Sequence, residues 1–428
     1  MGEKFGINIS GYINKAFGLG VAVRANINSV KASEIPYSIN DFNIKISNSI
    51  GSVSSNFEFS EENPYNINLV QINPDKLNEV FATVSTKYFQ NKYNIAFWAW
   101  ELENFPDESK SFLSLFHEIW VPSNFCTEAI SKVSHKPVIK IMHSISIDSV
   151  PYTRKDFNLP EDKFIFMTMF DYHSSMERKN PIATIDSYEK TFGTNHTDTI
   201  LIIKTSISTE FPEQKQKLIE RVGQNESIII VEELLDQERL YSLMNCCDCF
   251  VSLHRSEGFG LTMAEAMYLG KPVIATAYSA NIEFMNINNS FLVKYNLIKT
   301  KDQYYSSSNE DIWADPDIEH ASEHMTFVYQ NKALSLIIAN KGKEDVNFFL
   351  SPKKIGKKIK QRLEIINDEI FPKLSEDVSN EQSLLKLEIK FLKEKLDMVK
   401  KLNVVQWKIK FKNLQNKISG KKRKYFWE

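Results

Sequence analysis

Short, almost uninterrupted apolar runs recur along the chain, with polar, helix-spaced stretches between them. Residues 5–9 read as a buried strand, the glycine-spaced segment 11–20 as a loop, and residues 21–27 as the start of a helix. Further strands are expected at 68–72, 93–98, 118–121 and 138–141, with helices at 106–116 and 123–133. Around 148–162 the pattern breaks into Pro151, Pro160 and charged residues, which sets a domain boundary near residue 150. A second series follows, with strands at 164–170, 199–204, 227–231, 249–253 and 271–276 and helices at 180–192 and 237–245. Strands alternating with helices predict an α/β protein of two doubly wound parallel sheets. Such sheets face each other across a cleft and bind ligands at the C-terminal ends of their strands.

Past Pro352 the character changes. Residues 353–371 read as one more helix, ended by Pro372, and 374–428 as a long amphipathic helix. Leu384, Phe391, Met398 and Val405 recur at heptad spacing, as do Leu385, Leu392 and Val399. Three units are therefore expected: 1–149, 150–372 and 373–428.

Composition narrows the class. A chain of 428 residues with 42% hydrophobic and 25% charged positions can bury a large core, which excludes a disordered protein. A net charge of −2 gives no global attraction for nucleic acid. Cys126, Cys246, Cys247 and Cys249 read as reduced, buried thiols of a cytoplasmic protein, since three of them crowd one apolar stretch. No apolar run reaches the ~18–20 residues of a membrane span, and no signal-peptide segment follows Met1, so export is not expected. Glycine is scarce, at 14 residues, yet Gly6, Gly11, Gly18 and Gly20 crowd one segment and Gly258, Gly260 and Gly270 another. Clustered glycines mark places where the backbone takes unusual torsions or approaches something closely.

The second cluster carries the chemistry. Glu257-Gly258-Phe259-Gly260-Leu261 leads from a strand into a helix that contains Glu265. Backbone N–H groups at such a helix start favour phosphates and sugar hydroxyls. Glu257 and Glu265, eight apart across the loop–helix junction, can grip two parts of one polar ligand. Gly270 serves as the helix C′ residue, and Pro272 stops any continuation. Taken alone, a Gly-x-Gly of this kind is most often a plain βα turn.

The whole string from Glu257 to Thr276 resembles the Glu-x7-Glu signature of retaining nucleotide-sugar glycosyltransferases, glycosyltransferase family 4. That resemblance implies the GT-B fold, two Rossmann-like domains with the acceptor on the first and the donor on the second. It implies that Glu257 contacts hydroxyls of the transferred sugar and Glu265 the ribose of the donor. The amides of Gly258, Phe259, Gly260 and Leu261 would lie along sugar and phosphates. Arg178-Lys179, after the first strand of the second domain, is similar to the family's basic pair that neutralises the donor diphosphate. One departure stands out: Phe170-Asp171 occupies the place of the family's Gly-Arg, and Arg255 or Lys204 would have to substitute. Residues 231–235 resemble the segment that packs on the donor base. Gly18 and Gly20 resemble the glycine-rich first loop that faces the donor phosphates. Trp98, Trp100, Glu101 and His143 are the acceptor-side candidates, since aromatic faces stack on sugar rings.

The expected activity is sugar transfer from a nucleoside diphosphate sugar to a glycan or lipid-linked acceptor with retention of configuration, in bacterial surface polysaccharide biosynthesis. An epimerase of the same fold, or a non-catalytic scaffold, are the rivals. No Cys/His spacing suits zinc and no Asp-x-Asp motif of metal-dependent glycosyltransferases is read in the sequence, so neither metal nor other cofactor is expected. From Lys401 onward nine cations face only Glu428, interleaved with Trp407, Phe411, Tyr425, Phe426 and Trp427. Such a tail suits an anionic membrane surface, or self-association through the heptad stripe, over residues 384–428. A cytoplasmic protein on the inner face of the membrane is the expected setting.

Overall fold

The apolar runs become the strands of two six-stranded parallel sheets. The computed structural model describes residues 5–42, 57–300 and 311–374, with six helical positions between 389 and 401. In the first sheet β1 (Ile7–Gly11), β2 (Tyr37–Asn40), β3 (Ile67–Gln71), β4 (Tyr93–Phe97), β5 (Glu118–Val121) and β6 (Val138–Lys140) lie in the order β2-β1-β3-β4-β5-β6. Helices α1 (Gly18–Ala32), α2 (Leu77–Thr83) and α3 (Asn124–Ser131) accompany them. Every residue of β1, β3 and β4 is buried, as the unbroken apolar runs require of strands covered on both faces.

The second sheet holds β7 (Phe164–Phe170), β8 (Thr199–Thr205), β9 (Ile228–Glu232), β10 (Cys249–Ser252), β11 (Val273–Thr276) and β12 (Phe291–Val293), in the order β12-β11-β10-β7-β8-β9. Between them run α4 (Met176–Lys179), α5 (Pro181–Phe192), α6 (Pro212–Val222), α7 (Gln237–Cys246) and α8 (Leu261–Tyr268). The chain reverses direction of winding between β1 and β3 in one sheet and between β7 and β10 in the other. Those switch points are where doubly wound sheets open a crevice.

An antiparallel hairpin, β13 (Tyr295–Lys299) with β14 (Ile312–Pro316), follows. Then come α9 (Ile318–Gln330), α10 (Lys332–Phe349), α11 (Pro352–Ile365) and α12 (Phe371–Leu374). Helix α11 crosses back to the first sheet. Its Ile355, Ile359 and Leu363 join Ile7, Val23 and Ile27 in one core. A Cβ on Gly356 would meet Ser29 O at 2.0 Å, so only glycine lets α11 lie this close to α1. Arg362 of α11 pairs with the fully buried Glu118, which also accepts Tyr93 OH at 3.0 Å and Trp120 Nε1 at 2.6 Å.

Two expectations are corrected here. Residues 106–116 do not form an α-helix: Asp107–Leu115 is a 3-10 helix. Ser109, Ser111 and Ser114 weaken an α-helix, and Phe112 and Leu115, three apart, bury along one edge of the tighter coil. Nor does Pro372 end the last helix. A π-helical turn, Ile366–Ile370, widens the coil just before it, and α12 continues through the proline. The hairpin, β2, β12 and helices α2, α4, α6, α9 and α10 are additions to the elements expected from sequence. Apart from the six helical positions, residues 375–428, which carry the heptad stripe and the basic tail, lie outside the described residues. All four cysteines are free thiols, three buried and Cys246 half-buried.

Candidate active site

The second sheet's switch point gathers the basic pair and the first acid of the Glu-x7-Glu string. Phe170 ends β7, and Asp171 caps the turn after it by accepting His173 N. Ser175, at φ 63, caps α4 and accepts Arg178 N at 3.2 Å. This places Arg178 and Lys179 opposite the loop that follows β10. Arg178 is buried, donates from Nη1 to Ser256 O at 2.9 Å and lies 3.4 Å from Glu257 Oε2. Lys179 Nζ bonds Glu257 Oε1 directly. Burial alone would raise the Glu257 carboxyl, but Lys179 and then Arg178 outweigh it and hold it at about 2. Glu257 is therefore a fixed anion at any physiological pH, paired with two cations that a diphosphate could claim instead.

The loop after Glu257 is built for close approach. Gly260 stands at φ +94, where a Cβ would meet the Met263 side chain at 2.7 Å. It begins α8, and Gly270 at φ +75 follows the C-cap Leu269 as expected. Glu265 lies one turn into α8, buried, and accepts Tyr241 OH at 2.8 Å from α7. Burial outweighs the Tyr241 bond and the charge of Arg24, so the carboxyl is held up at about 7. Arg24 reaches towards it from α1 of the first domain while its Nη1 bonds Ile13 O and Lys15 O at 2.9 and 2.8 Å. The same loop explains Gly20, whose Cβ would meet Lys15 O at 2.2 Å; around Gly18 there is space.

The first domain closes on the motif loop. Ser123 Oγ donates to Gly258 O at 2.8 Å, and Cys126 Sγ lies 3.1 Å from Trp100 O and 3.3 Å from Gly258 O. Glu101 Oε1 comes within 3.7 Å of Arg178 Nη2, so acids from both domains flank that guanidinium. Lys140 of β6 bonds Glu283 at 2.8 Å, and Tyr278 OH bonds Glu103 at 3.2 Å. His143 is buried with its ring stacked on Phe97 at 5.0 Å and edge-on to Phe259 at 5.1 Å. Burial lowers its pKa to about 3, so the imidazole is neutral.

Several expected residues are placed otherwise. Trp98 is fully buried, with its ring against Phe105 and Phe116, so it cannot present a face to a sugar; Trp100, half-buried beside Gly258, is better placed. Lys204 is buried, donates to the carbonyls of Thr205 and Glu233 at 2.6 and 2.8 Å, and burial lowers its pKa to about 8. Arg255 bonds Asp315 and lies over the Trp313 ring. Both cations have protein partners, as Arg178 and Lys179 do. Asp315-Pro316-Asp317 is an Asp-x-Asp by sequence, yet Asp315 holds Arg255 and Asp317 caps α9. Among the described residues no three His, Cys, Asp or Glu are grouped to hold a metal ion.

With this geometry in view the comparisons are specific. Residues 152–303 match the family model described as Glycosyl transferases group 1. The matched segment runs from the start of the second domain through both acids and past β13. No curated protein sequence matches the chain. Among solved structures, a glycosyltransferase from Rickettsia africae superposes with a TM-score of 0.60 at 14% identity, over 86% of this chain and 99% of that one. Sucrose-phosphate synthase from Thermosynechococcus elongatus gives 0.62 at 14%, over 84% and 98%. HepE from Anabaena, in complex with UDP and glucose, gives 0.57 at 12%, over 84% and 99%. The fold is GT-B. Arg24, Tyr241, Ser123 and Cys126 lie against the candidate residues, and the sequence reading did not place them there. Only Arg24 left a signal, as a lone charge inside the apolar run that opens α1.

Proposed function

We propose that the protein transfers a sugar from a nucleoside diphosphate sugar to a glycan or lipid-linked acceptor, with retention of configuration. The observation that carries this reading is the convergence of Arg178, Lys179 and Glu257 at the second sheet's switch point, with Glu101 of the first domain beside them. In this reading Lys179 leaves Glu257 for the donor diphosphate, and Glu257 turns to the sugar hydroxyls. Glu265 takes the ribose hydroxyls, and the amides at Phe259, Gly260 and Leu261 line the sugar and phosphates. The bond from the anomeric carbon to the phosphate oxygen breaks as the acceptor oxygen bonds that carbon from the same face. The acceptor proton passes to the departing phosphate oxygen, and nucleoside diphosphate leaves. Lys179 and Arg178 supply the positive charge that stabilises this leaving group, so no divalent ion is required.

The family reading extends to glycosyltransferase family 4, a hexosyl donor, bacterial surface polysaccharide as the product, and a place at the inner face of the membrane. Among the described residues no helix is long and apolar enough to cross a membrane. A thermal-shift screen against a panel of nucleotide sugars, in EDTA, tests the proposal. A rise in melting temperature with one donor is expected. A response that needs added manganese would refute the metal-free part, and silence across the panel would favour a scaffold.

A further inference from the structure

Helices α10 and α11 carry an exposed face that the transfer chemistry does not use. Helix α10 buries Ser335, Ala339, Gly342 and Val346. Its opposite side carries large apolar residues among polar ones: Leu334, Ile337 and Phe348 are 47%, 65% and 61% exposed. Together with Lys341 they recur at i, i+3, i+7 and i+14, which is one side of a helix. Helix α11 buries Ile355, Ile359 and Leu363 and leaves Lys353, Lys354, Lys357 and Lys358 exposed. Lys354 Nζ lies 5.0 Å from the centre of the Phe348 ring, which joins the apolar and the basic parts into one patch. Residues 332–365 hold nine Lys and Arg against three Asp and Glu. Two of those acids, Glu344 and Asp345, are paired with Lys341.

We propose that this α10–α11 face docks on an anionic lipid bilayer. Bulky apolar side chains rimmed by lysines fit the acyl–headgroup boundary, where the rings and aliphatics sink and the ammonium groups meet lipid phosphates. Charge disfavours a second copy and the basic end of the chain as occupants. A second copy would bring lysines against lysines. The chain's own segment after Lys401, nine cations against Glu428, has the same sign as the patch. Nucleic acid would leave Leu334, Ile337 and Phe348 unused. Helix α10 packs on α8, which carries Glu265, and α11 packs on α1, which carries Arg24. Contact with the bilayer therefore engages a helix bound to each domain. The inference deepens the membrane location proposed above by naming the surface that makes the contact, and it does not depend on the transfer reaction.

The test uses full-length protein and vesicles of phosphatidylglycerol mixed with phosphatidylcholine, or of phosphatidylcholine alone, with sedimentation at low salt. Two variants are compared with the parent: Lys353→Glu/Lys354→Glu/Lys357→Glu/Lys358→Glu, and Phe348→Ser/Phe349→Ser, the neighbouring Phe349 being 54% exposed with its ring 4.9 Å from that of Phe348. All six side chains are exposed, so melting temperatures should hardly change; should one variant misfold, the other decides. The parent should bind the anionic vesicles and not the neutral ones. The lysine variant should lose on the order of a thousandfold in affinity, and the phenylalanine variant on the order of tenfold. Binding of either folded variant equal to the parent's, no binding by the parent, or a parent dimer that the variants turn into monomers without any vesicle effect would each overturn the proposal.

Discussion

Replacing Glu265 by Gln should stabilise the ligand-free protein above neutrality while loosening its hold on nucleotide. Burial holds this carboxyl at about 7, against 4.5 in its ordinary setting, with Tyr241 and Arg24 only partly opposing the rise. A raised carboxyl binds its proton more readily folded than unfolded. The folded state therefore loses stability as pH climbs from 4.5 through 7, and the loss levels off above that. Between pH 5 and pH 8 the difference amounts to about 2–3 kcal/mol. Glutamine keeps the shape and can still accept Tyr241 OH, yet never ionises. Urea unfolding followed by tryptophan fluorescence should find the variant close to wild type at pH 5 and ahead by about 2–3 kcal/mol more at pH 8. Calorimetry at pH 8 should find nucleoside diphosphate bound more weakly, because an amide is a poorer acceptor for two ribose hydroxyls than a carboxylate. An advantage independent of pH would refute the claim that Glu265 is held as a strained, buried acid.

Glu257→Ala should abolish transfer while nucleoside diphosphate binding, measured by calorimetry, largely survives. Lys179→Ala should lower kcat more than it raises the donor KM, because charge on the leaving diphosphate develops in the transition state. Gly20→Ala places a Cβ at 2.2 Å from Lys15 O. The loop that Arg24 holds must then shift, at a cost of about 1–3 kcal/mol that a thermal melt would register.

The alternation of strands and helices was legible because parallel strands buried on both faces leave unbroken apolar runs, as in β7 and β8. The acids of α8 and the loop before it were singled out for a different reason: Gly258 and Gly260 stand out in a glycine-poor chain, and the whole string from Glu257 to Thr276 resembles a known signature. What stayed hidden depends on contacts distant in sequence. Nothing local to residues 352–374 shows that α11 belongs with the first sheet, since the decisive facts are the space left by Gly356 beside Ser29 and the pairing of Arg362 with Glu118. Trp98 and Trp100, two residues apart just past the end of β4, look alike in sequence, yet one falls in the core and the other at the cleft. Tyr241 sits in an ordinary amphipathic helix and acquires its meaning from Glu265, 24 residues later.

The central claim is that Glu257, Lys179 and Glu265 hold a nucleoside diphosphate sugar for transfer. It is tested most directly by following nucleoside diphosphate release from the best-binding donor, by wild type and Glu257→Ala in parallel, with EDTA throughout. The account predicts steady release by wild type and none above background by the variant, although the variant still binds the free nucleoside diphosphate. Equal release by both proteins would contradict it.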